Sequence, residues 1–131
     1  MSYTKLGCLH FNTSKRMSWS ESEQSCYQTH NSHLVEIYTQ FQQDFLTMMA
    51  LFLEEVTTEY SNWWIGLTDA GREGKWYWSN SLKPVNFTAW GASEPDQGID
   101  ANYAGLYHYF DFKWDDQLET VLRNSICQFF M

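Results

Sequence analysis

Residues 94–116 are the most informative stretch of the chain: they begin with Glu94-Pro95-Asp96 and end with Trp114-Asp115-Asp116. These two short segments carry four carboxylates, one proline that stiffens the first segment, and an aromatic residue of the kind that anchors a core. Calcium takes about 6–8 oxygen ligands and tolerates irregular geometry. Four side chains cannot fill that shell alone, so backbone carbonyls, water or the hydroxyls of a ligand must complete it. The stretch therefore predicts a calcium site that leaves room for a bound ligand.

Composition narrows the classes of partner. The chain has 131 residues, a net charge of −8 and only eight lysines and arginines. This acidic balance argues against nucleic acid and anionic membranes, which call for basic patches. No apolar run approaches the ~20 residues that cross a bilayer, so we expect no membrane insertion. The length predicts a single domain, 1–131, and the aromatic content of 18% predicts a bulky core.

The residues alone decide neither the cellular compartment of the chain nor the pairing of its cysteines. The start, Met1-Ser2-Tyr3, lacks the apolar region of a signal peptide, so the chain is either cytosolic or begins after a removed signal. The cysteine count is three, at Cys8, Cys26 and Cys127. An odd count in an extracellular chain leaves one cysteine free or paired elsewhere. No CxxC motif supports zinc or thioredoxin chemistry.

Two helices are predicted from capping patterns. Ser20 with Glu23 three residues later forms a capping-box pattern, which predicts a helix over about 21–29. Thr39 with Gln42 forms a second one, and the helix that follows is predicted over 40–55. Its apolar residues recur at helical spacing, and we expect them to pack against the core: Phe41, Phe45, Met48, Met49 and Phe52.

The remaining chain is predicted to be mostly strand and loop. Apolar or alternating runs predict strands at 3–11, 33–37, 62–67, 75–78, 103–109 and 124–129. Residues 79–102 are rich in Ser, Asn, Gly, Pro and Asp and predict a long irregular segment, which in a compact domain is usually functional. Tyr107, His108 and Tyr109 could line a sugar face, although an alternating strand is the simpler interpretation.

Eight segments, taken in order, resemble the C-type lectin-like domain and span about residues 5–129. They are Trp19-Ser20 through Cys26, His33-Leu34-Val35, Trp64 to Asp69, Trp76 to Ser79, Trp90, Glu94 to Asp96, Trp114 to Asp116, and Ile126 to Gln128. The resemblance implies an α+β fold with two helices, two small antiparallel sheets and a long loop from about 80 to 114. Members of this family do not act as enzymes, and their typical sugar-binding members hold carbohydrate through calcium.

The resemblance also implies a disulfide between Cys26 and Cys127. The bridge that staples the long loop in other members is missing here, since its two positions fall near Asn102 or Tyr103 and on Glu119. Cys8 matches one half of an N-terminal bridge whose partner is absent. It is therefore either a free thiol or a link to another chain.

The site residues carry over one by one. Glu94, Asp96, Asp115 and Asp116 fall on the primary calcium positions, and the same four are the expected carbohydrate-binding residues. Pro95 matches a cis proline. A fifth acidic ligand is expected at Asp100, or its position falls on Ala101 if the gap is placed differently. An auxiliary calcium position would use Asp69 and Glu73, with Gln97 replacing a third, usually acidic ligand.

Sugar preference is less sharply defined by these residues. In the family, Glu-Pro-Asn tends to accompany mannose or glucose-type hydroxyls and Gln-Pro-Asp accompanies galactose, whereas this chain has Glu-Pro-Asp. Asp115 stands where asparagine is usual. Both amide donors are thus replaced by acceptors, and each sugar hydroxyl loses a donor. We expect calcium binding with weak or altered selectivity, with Glu94 tipping the preference slightly toward mannose-type sugars.

Two functions compete, and a third is disfavoured. The leading hypothesis is a secreted, calcium-dependent lectin that recognises surface glycans in innate defence and gains avidity as a homo-oligomer. The alternative is a calcium-independent member that binds a protein partner, which the missing loop bridge favours. A glycosidase would need two carboxyls about 5–9.5 Å apart, one of them in an apolar setting. Acids clustered around one proline-stiffened turn suit metal ligation better.

Overall fold

The computed structural model of the chain describes residues 6–96, 98 and 100–130. Within that part, seven strands form a sheet with the central order β1-β7-β3-β5-β6, while β2 pairs with β7 and β4 pairs with β3. The strands are β1 (Cys8–Met17), β2 (His33–Leu34), β3 (Trp63–Thr68), β4 (Tyr77–Trp78), β5 (Tyr103–Leu106), β6 (Trp114–Gln117) and β7 (Arg123–Phe129). The two helices are α1 (Trp19–His30) and α2 (Gln40–Thr57).

The α+β class is confirmed, but the strands join in one mixed sheet instead of two antiparallel ones. Trp63 and Trp64 of β3 pair in parallel with Asn124 and Ser125 of β7. The other strand pairs are antiparallel. The parallel pairing links the two halves of the sheet. No helix in the described part of the chain has the length and apolar character that a membrane span requires.

The N-cap of helix α1 is Ser18, two residues before the predicted cap, Ser20. The side chain of Ser18 accepts from the amide of Glu21, and Glu21 Oε1 accepts from the amide of Ser18 at 3.1 Å. Ser20 and Glu23 therefore do not form the capping box. Glu23 instead accepts from the amide of Leu34 at 2.8 Å and so connects α1 to β2.

Helix α2 begins where the sequence predicts, but its buried face differs from the predicted one. The Thr39 side chain caps it by accepting from the amide of Gln42. The buried residues of α2 are Gln42, Gln43, Leu46 and Ala50. The expectation that the apolar stripe packs on the core is wrong for Phe41, Met48 and Phe52, which are more than half exposed.

Three other boundaries differ from expectation. Strand β1 extends to Met17, well past the predicted end at residue 11, and residues 1–5 lie outside the described part. Strand β5 ends at Leu106, and a short 3₁₀ turn over His108–Phe110 replaces the rest of the predicted strand. Strand β6 was not among the predicted strands, and its sequence, Trp-Asp-Asp-Gln, has little β-propensity.

The core is aromatic, as the composition predicts. Trp63, Trp78 and Trp114 are at most 1% exposed, Trp76 is buried, and Trp90 is half-buried against the same cluster. A second, smaller core surrounds the predicted disulfide, which joins Cys26 of α1 to Cys127 of β7. Cys8 is a free thiol of intermediate exposure.

Candidate functional site

The loop that carries residues 94–96 is fastened to β6 just before the acidic end of that strand. The amide of Gly91 donates to the carbonyl of Trp114 at 2.9 Å, and the amide of Trp114 donates to Ala89 at 2.8 Å. The amide of Glu94 then donates to Gly91 at 3.0 Å and turns the chain. These backbone bonds bring residues 94–96 beside Asp116.

Three of the four predicted primary ligands meet at this point. Glu94, Asp96 and Asp116 each offer a carboxylate oxygen, and these oxygens lie within 4.8 Å of one another. The Asp96 amide donates to Asp116 Oδ1 at 2.9 Å, and the Asp116 amide donates to Glu94 Oε1 at 3.3 Å. The Glu94–Pro95 peptide bond is cis, as the resemblance implied. We call Glu94, Asp96 and Asp116 the carboxylate cage.

The carboxylates of the cage repel one another when all of them are ionised. Burial, followed by hydrogen bonds to the carboxyls of Asp116 and Asp96, raises the pKa of Glu94 to about 8. Asp116 is only 2% exposed, whereas Asp96 is exposed. Like charges that share one site disfavour full ionisation, and either a proton or a bound cation relieves the repulsion.

The donor set of the cage fits a hard divalent cation. All three side chains offer oxygen, which calcium prefers, and the set carries up to three negative charges. Asp96 faces solvent while Asp116 is buried, so the cage is open on one side. Three carboxylates leave part of a 6–8 ligand shell for backbone carbonyls, water or an outside hydroxyl.

Asp115 does not join the cage, which corrects its expected place among the ligands. Its Oδ1 accepts from Arg123 Nη1 at 2.8 Å and its Oδ2 accepts from Arg123 Nη2 at 2.6 Å. Both side chains are buried. The physical reason is a two-point ion pair that already satisfies the carboxylate. Arg123 was not predicted from the sequence; its one signal is a lone charge directly before the predicted strand 124–129.

The remaining acidic candidates surround the cage without completing it. Asp100 is exposed and lies outside the group of three, and the alternative, Ala101, is 1% exposed. Asp69, Glu73 and Asp116 line a neighbouring cleft of about 290 Å³. Asp69 Oδ2 accepts from the amide of Gly74 at 2.8 Å, which shapes the turn. Gln97, the third expected auxiliary ligand, lies outside the described residues.

The pKa of Glu73 responds to the negative charges of this region. Its carboxyl is exposed, yet its pKa is raised by partial desolvation and then by the charges of Asp69, Asp100 and Asp116. These acids are therefore close enough to interact. Asp69 and Glu73 remain an auxiliary site by hypothesis.

The aromatic residues after β5 do not form an alternating strand that could present a sugar face. His108 Nδ1 lies 2.6 Å from Glu54 Oε2, and its ring stacks on Tyr60 with centroids 4.1 Å apart. The Tyr107 ring lies 5.6 Å from the guanidinium carbon of Arg123. Of the three, Tyr109 is the exposed one, at 73%.

Hydrogen bonds to Glu119 occupy the place where the loop bridge was expected. Glu119 Oε2 accepts from the amide of Ser20 at 2.8 Å, and its carbonyl accepts from Trp19 at 3.3 Å. Trp19 also packs against Tyr103, with ring centroids 4.6 Å apart. The N-terminal residues of α1 thus contact Tyr103 and Glu119, which lie at the two positions of the missing bridge.

Comparison with known proteins agrees with this fold. The family described as the lectin C-type domain matches residues 15–129. The galactose-specific lectin nattectin of Thalassophryne nattereri is 28% identical over 111 residues, which are 85% of this chain and 67% of that protein.

Solved structures agree as well. The C-type lectin domain of murine dendritic cell inhibitory receptor 2, solved in complex with an N-glycan, is 28% identical, with a TM-score of 0.75 over 95% of this chain and 91% of that one. A calcium-independent type II antifreeze protein is 21% identical, with a TM-score of 0.79 over 95% and 87% of the two chains. The latter similarity concerns the fold alone.

Proposed function

This chain belongs to the C-type lectin domain family, and on that premise we propose that it binds carbohydrate through a calcium ion held by Glu94, Asp96 and Asp116. The observation that carries the proposal is the convergence of these three carboxylates within 4.8 Å at the end of the long loop. The Asp96 amide donates to the Asp116 carboxylate, and the Asp116 amide donates to the Glu94 carboxylate, so hydrogen bonds from the backbone hold the cage together.

The three carboxylates have different roles in this proposal. Asp116 is buried and supplies the fixed ligand, while Glu94 and the exposed Asp96 border the open side of the ion. A calcium ion held by these residues would offer its free coordination positions to two neighbouring hydroxyl oxygens of a sugar. Glu94 and Asp96 would accept hydrogen bonds from those hydroxyls and so orient the ring. Asp100, Asp69 and Glu73 add negative charge around the site.

We further propose that the protein acts outside the cell, as a secreted lectin without enzymatic activity. A disulfide such as Cys26–Cys127 persists in oxidising compartments. The ligands would be surface glycans in innate defence. A single shallow site binds weakly, so several copies would raise the avidity. Glu94 favours mannose or glucose-type sugars, whereas the name of nattectin points to galactose for that relative.

A calcium-independent member that binds a protein partner is the second candidate. The observation that favours it is the pairing of Asp115 with Arg123, which removes one carboxylate from the expected ligand set. The retained cage opposes it. The two candidates differ in a single measurable property, the response of the folded chain to calcium.

Thermal unfolding in calcium and in chelator separates the two functions. A ligand that binds only the native state stabilises it by about 2.7 kcal/mol at a hundredfold excess over its Kd. We expect calcium to raise the melting temperature of the wild-type chain and to have little effect on Asp116→Asn. Asp111→Asn, which removes an exposed carboxylate outside the cage, is the matched control.

A glycan array probed with and without chelator then tests the sugar. Binding to mannose or glucose-type glycans that disappears in chelator supports the lectin proposal. An unchanged melting temperature at millimolar calcium, together with no chelator-sensitive glycan signal, would favour the protein-binding alternative.

A further inference from the structure

Asp115 and Arg123 form a buried ion pair one residue away from the carboxylate cage. The two contacts between guanidinium and carboxylate are 2.8 and 2.6 Å long, and the side chains are 3% and 4% exposed. Such two-point pairing gives the carboxylate both geometric specificity and strong hydrogen bonds. The pair is thus a built feature of the interior and not a surface contact.

The surroundings of Arg123 form a slot for its guanidinium. Gly105 lies directly opposite Asp115 in the pairing of β5 with β6. A Cβ at Gly105 would collide with Arg123 Nη1 and with the carbonyl oxygen of Trp63. The guanidinium carbon also lies 5.0 Å from the Trp64 ring, close enough for a cation–π contact. The absence of a side chain at residue 105 leaves the space that the arginine occupies.

Asp115 is a neighbour of the cage along the chain. Successive side chains of a strand point to opposite faces, so Asp115 would reach the ion only by turning away from Arg123 and toward the face that carries Asp116. In the structure only Asp116 is part of the cage, and Asp115 is held by Arg123. Arg123 thus holds the acid of β6 that lies beside the cage without belonging to it.

We propose that Arg123 determines which carboxylates bind the ion, because its ion pair with Asp115 keeps that carboxylate from becoming a ligand. The inference rests on the proposed calcium site and deepens it. If Asp115 turned to the ion, Arg123 would be left buried without a counter-charge, which is strongly unfavourable. The pair therefore persists when a cation binds. The ion meets three carboxylates instead of four, and an extra coordination position remains for water or for oxygens of the ligand.

Calcium titration calorimetry on four proteins tests the proposal, with unfolding in chelator as a second readout. The proteins are the wild-type chain, Asp115→Asn, Arg123→Met and the double variant Asp115→Asn with Arg123→Met. We expect Asp115→Asn to bind calcium within about threefold of wild type, because a carboxylate that is not a ligand adds little to the affinity. Arg123→Met frees Asp115 and should bind calcium about tenfold more tightly, since ligand charge tunes the Kd.

The double variant separates ligation from folding. It lacks both charges, so it should return to wild-type affinity and keep more of its stability in chelator than Arg123→Met does. If Arg123→Met does not fold without calcium, Arg123→Lys takes its place, because lysine keeps the charge but loses the two-point geometry. That variant should show a smaller gain in affinity of the same sign.

The outcomes distinguish this inference from the proposed function. Asp115→Asn that loses calcium affinity, or Arg123→Met that gains none, overturns the inference and leaves the calcium site standing. Calcium binding by Arg123→Met but not by wild type supports the inference and removes the proposed function. Calcium binding by none of the proteins removes both.

Discussion

Gly105 shows how one residue without a side chain can shape a site that it does not touch. It lies in β5, opposite Asp115, at the point where Arg123 and the Trp63 carbonyl both approach its Cα. No turn or unusual backbone angle requires glycine there. The requirement is space, and the space is used by a buried guanidinium.

Replacing Gly105 with alanine should therefore destabilise the protein by about 1–3 kcal/mol, the usual range for overpacking a core. The Trp63 carbonyl belongs to the β3 backbone and cannot move without disturbing the sheet. Urea unfolding of Gly105→Ala measures the loss. Gly91→Ala is the matched control, because the atoms nearest to its Cβ belong to the Phe110 side chain and not to the backbone of a neighbouring strand. A loss no larger than that of Gly91→Ala would contradict the steric explanation.

The acidic residues of the site were predictable only in part. Glu94, Asp96 and Asp116 meet because the loop bonds to β6 next to Trp114, and the order of these segments was visible in the sequence. The partner of Asp115 was not visible. Arg123 lies eight residues further on, and only the folded sheet brings it to Asp115. Charge patterns along a chain cannot identify such a pair before the register of the strands is known.

At the scale of elements, Gln43 couples α2 to the strand that carries Asp116. Its Oε1 accepts from Trp114 Nε1 at 2.8 Å, and its Nε2 donates to the Phe112 carbonyl at 3.0 Å. The side chain is 3% exposed. Sequence periodicity predicted the helix but selected the wrong face, because buried glutamines carry no apolar signal.

Changing Gln43 to leucine should cost about 2–6 kcal/mol, since a buried polar group left without a partner costs about 1–3 kcal/mol and two are affected. Chemical denaturation gives the free energy of unfolding. Gln40→Leu serves as the control: Gln40 lies at the start of the same helix, is exposed and bonds only the side chain of Asp44 among the contacts described. Equal losses in the two variants would show that the buried hydrogen bonds of Gln43 contribute nothing specific.

Glu119 provides a second coupling between elements, at the N-terminus of α1. The Ser20 amide donates to its carboxylate and holds the pKa of Glu119 below the ordinary value of 4.5. A carboxyl whose pKa is lowered in the native state stabilises that state above its unfolded pKa. The contribution disappears as the pH falls through the lowered native value.

The variant Glu119→Gln should accordingly be less stable than wild type near pH 7, and the difference should shrink as the pH falls below 4.5. The effect is small because the carboxyl is largely solvated. Melting temperatures measured from pH 3 to pH 7 in chelator record it without interference from calcium. Glu59→Gln, an exposed acid that follows α2, should show no such convergence. A constant gap between Glu119→Gln and wild type at every pH would contradict the capping role.

At the scale of the whole molecule, the connection between the two halves of the sheet had no local signal. Trp63 and Trp64 pair in parallel with Asn124 and Ser125, about sixty residues later in the chain. Both strands were predicted from the sequence, but their pairing was not. The resemblance predicted the α+β class and the disulfide, whereas the single mixed sheet is evident only in the folded structure.

The disulfide should be the largest single covalent contribution to the stability of this fold. It joins Cys26 to Cys127 across a sequence separation of 101, and closing so long a loop restricts the unfolded chain strongly. Replacing both cysteines with alanine should cost about 2–5 kcal/mol, measured as the free energy of unfolding in urea. Cys8→Ala is the control, because the half-buried Cys8 thiol is unbridged and its removal leaves the loop closed. The double variant also loses the centre of the smaller core around Trp19 and Trp64, so a reduced wild-type chain should be measured beside it. If reduction and the double substitution each lower the free energy of unfolding by less than about 1 kcal/mol, the disulfide is not a major contribution. The packing and hydrogen bonds of the sheet would then account for the stability of the fold.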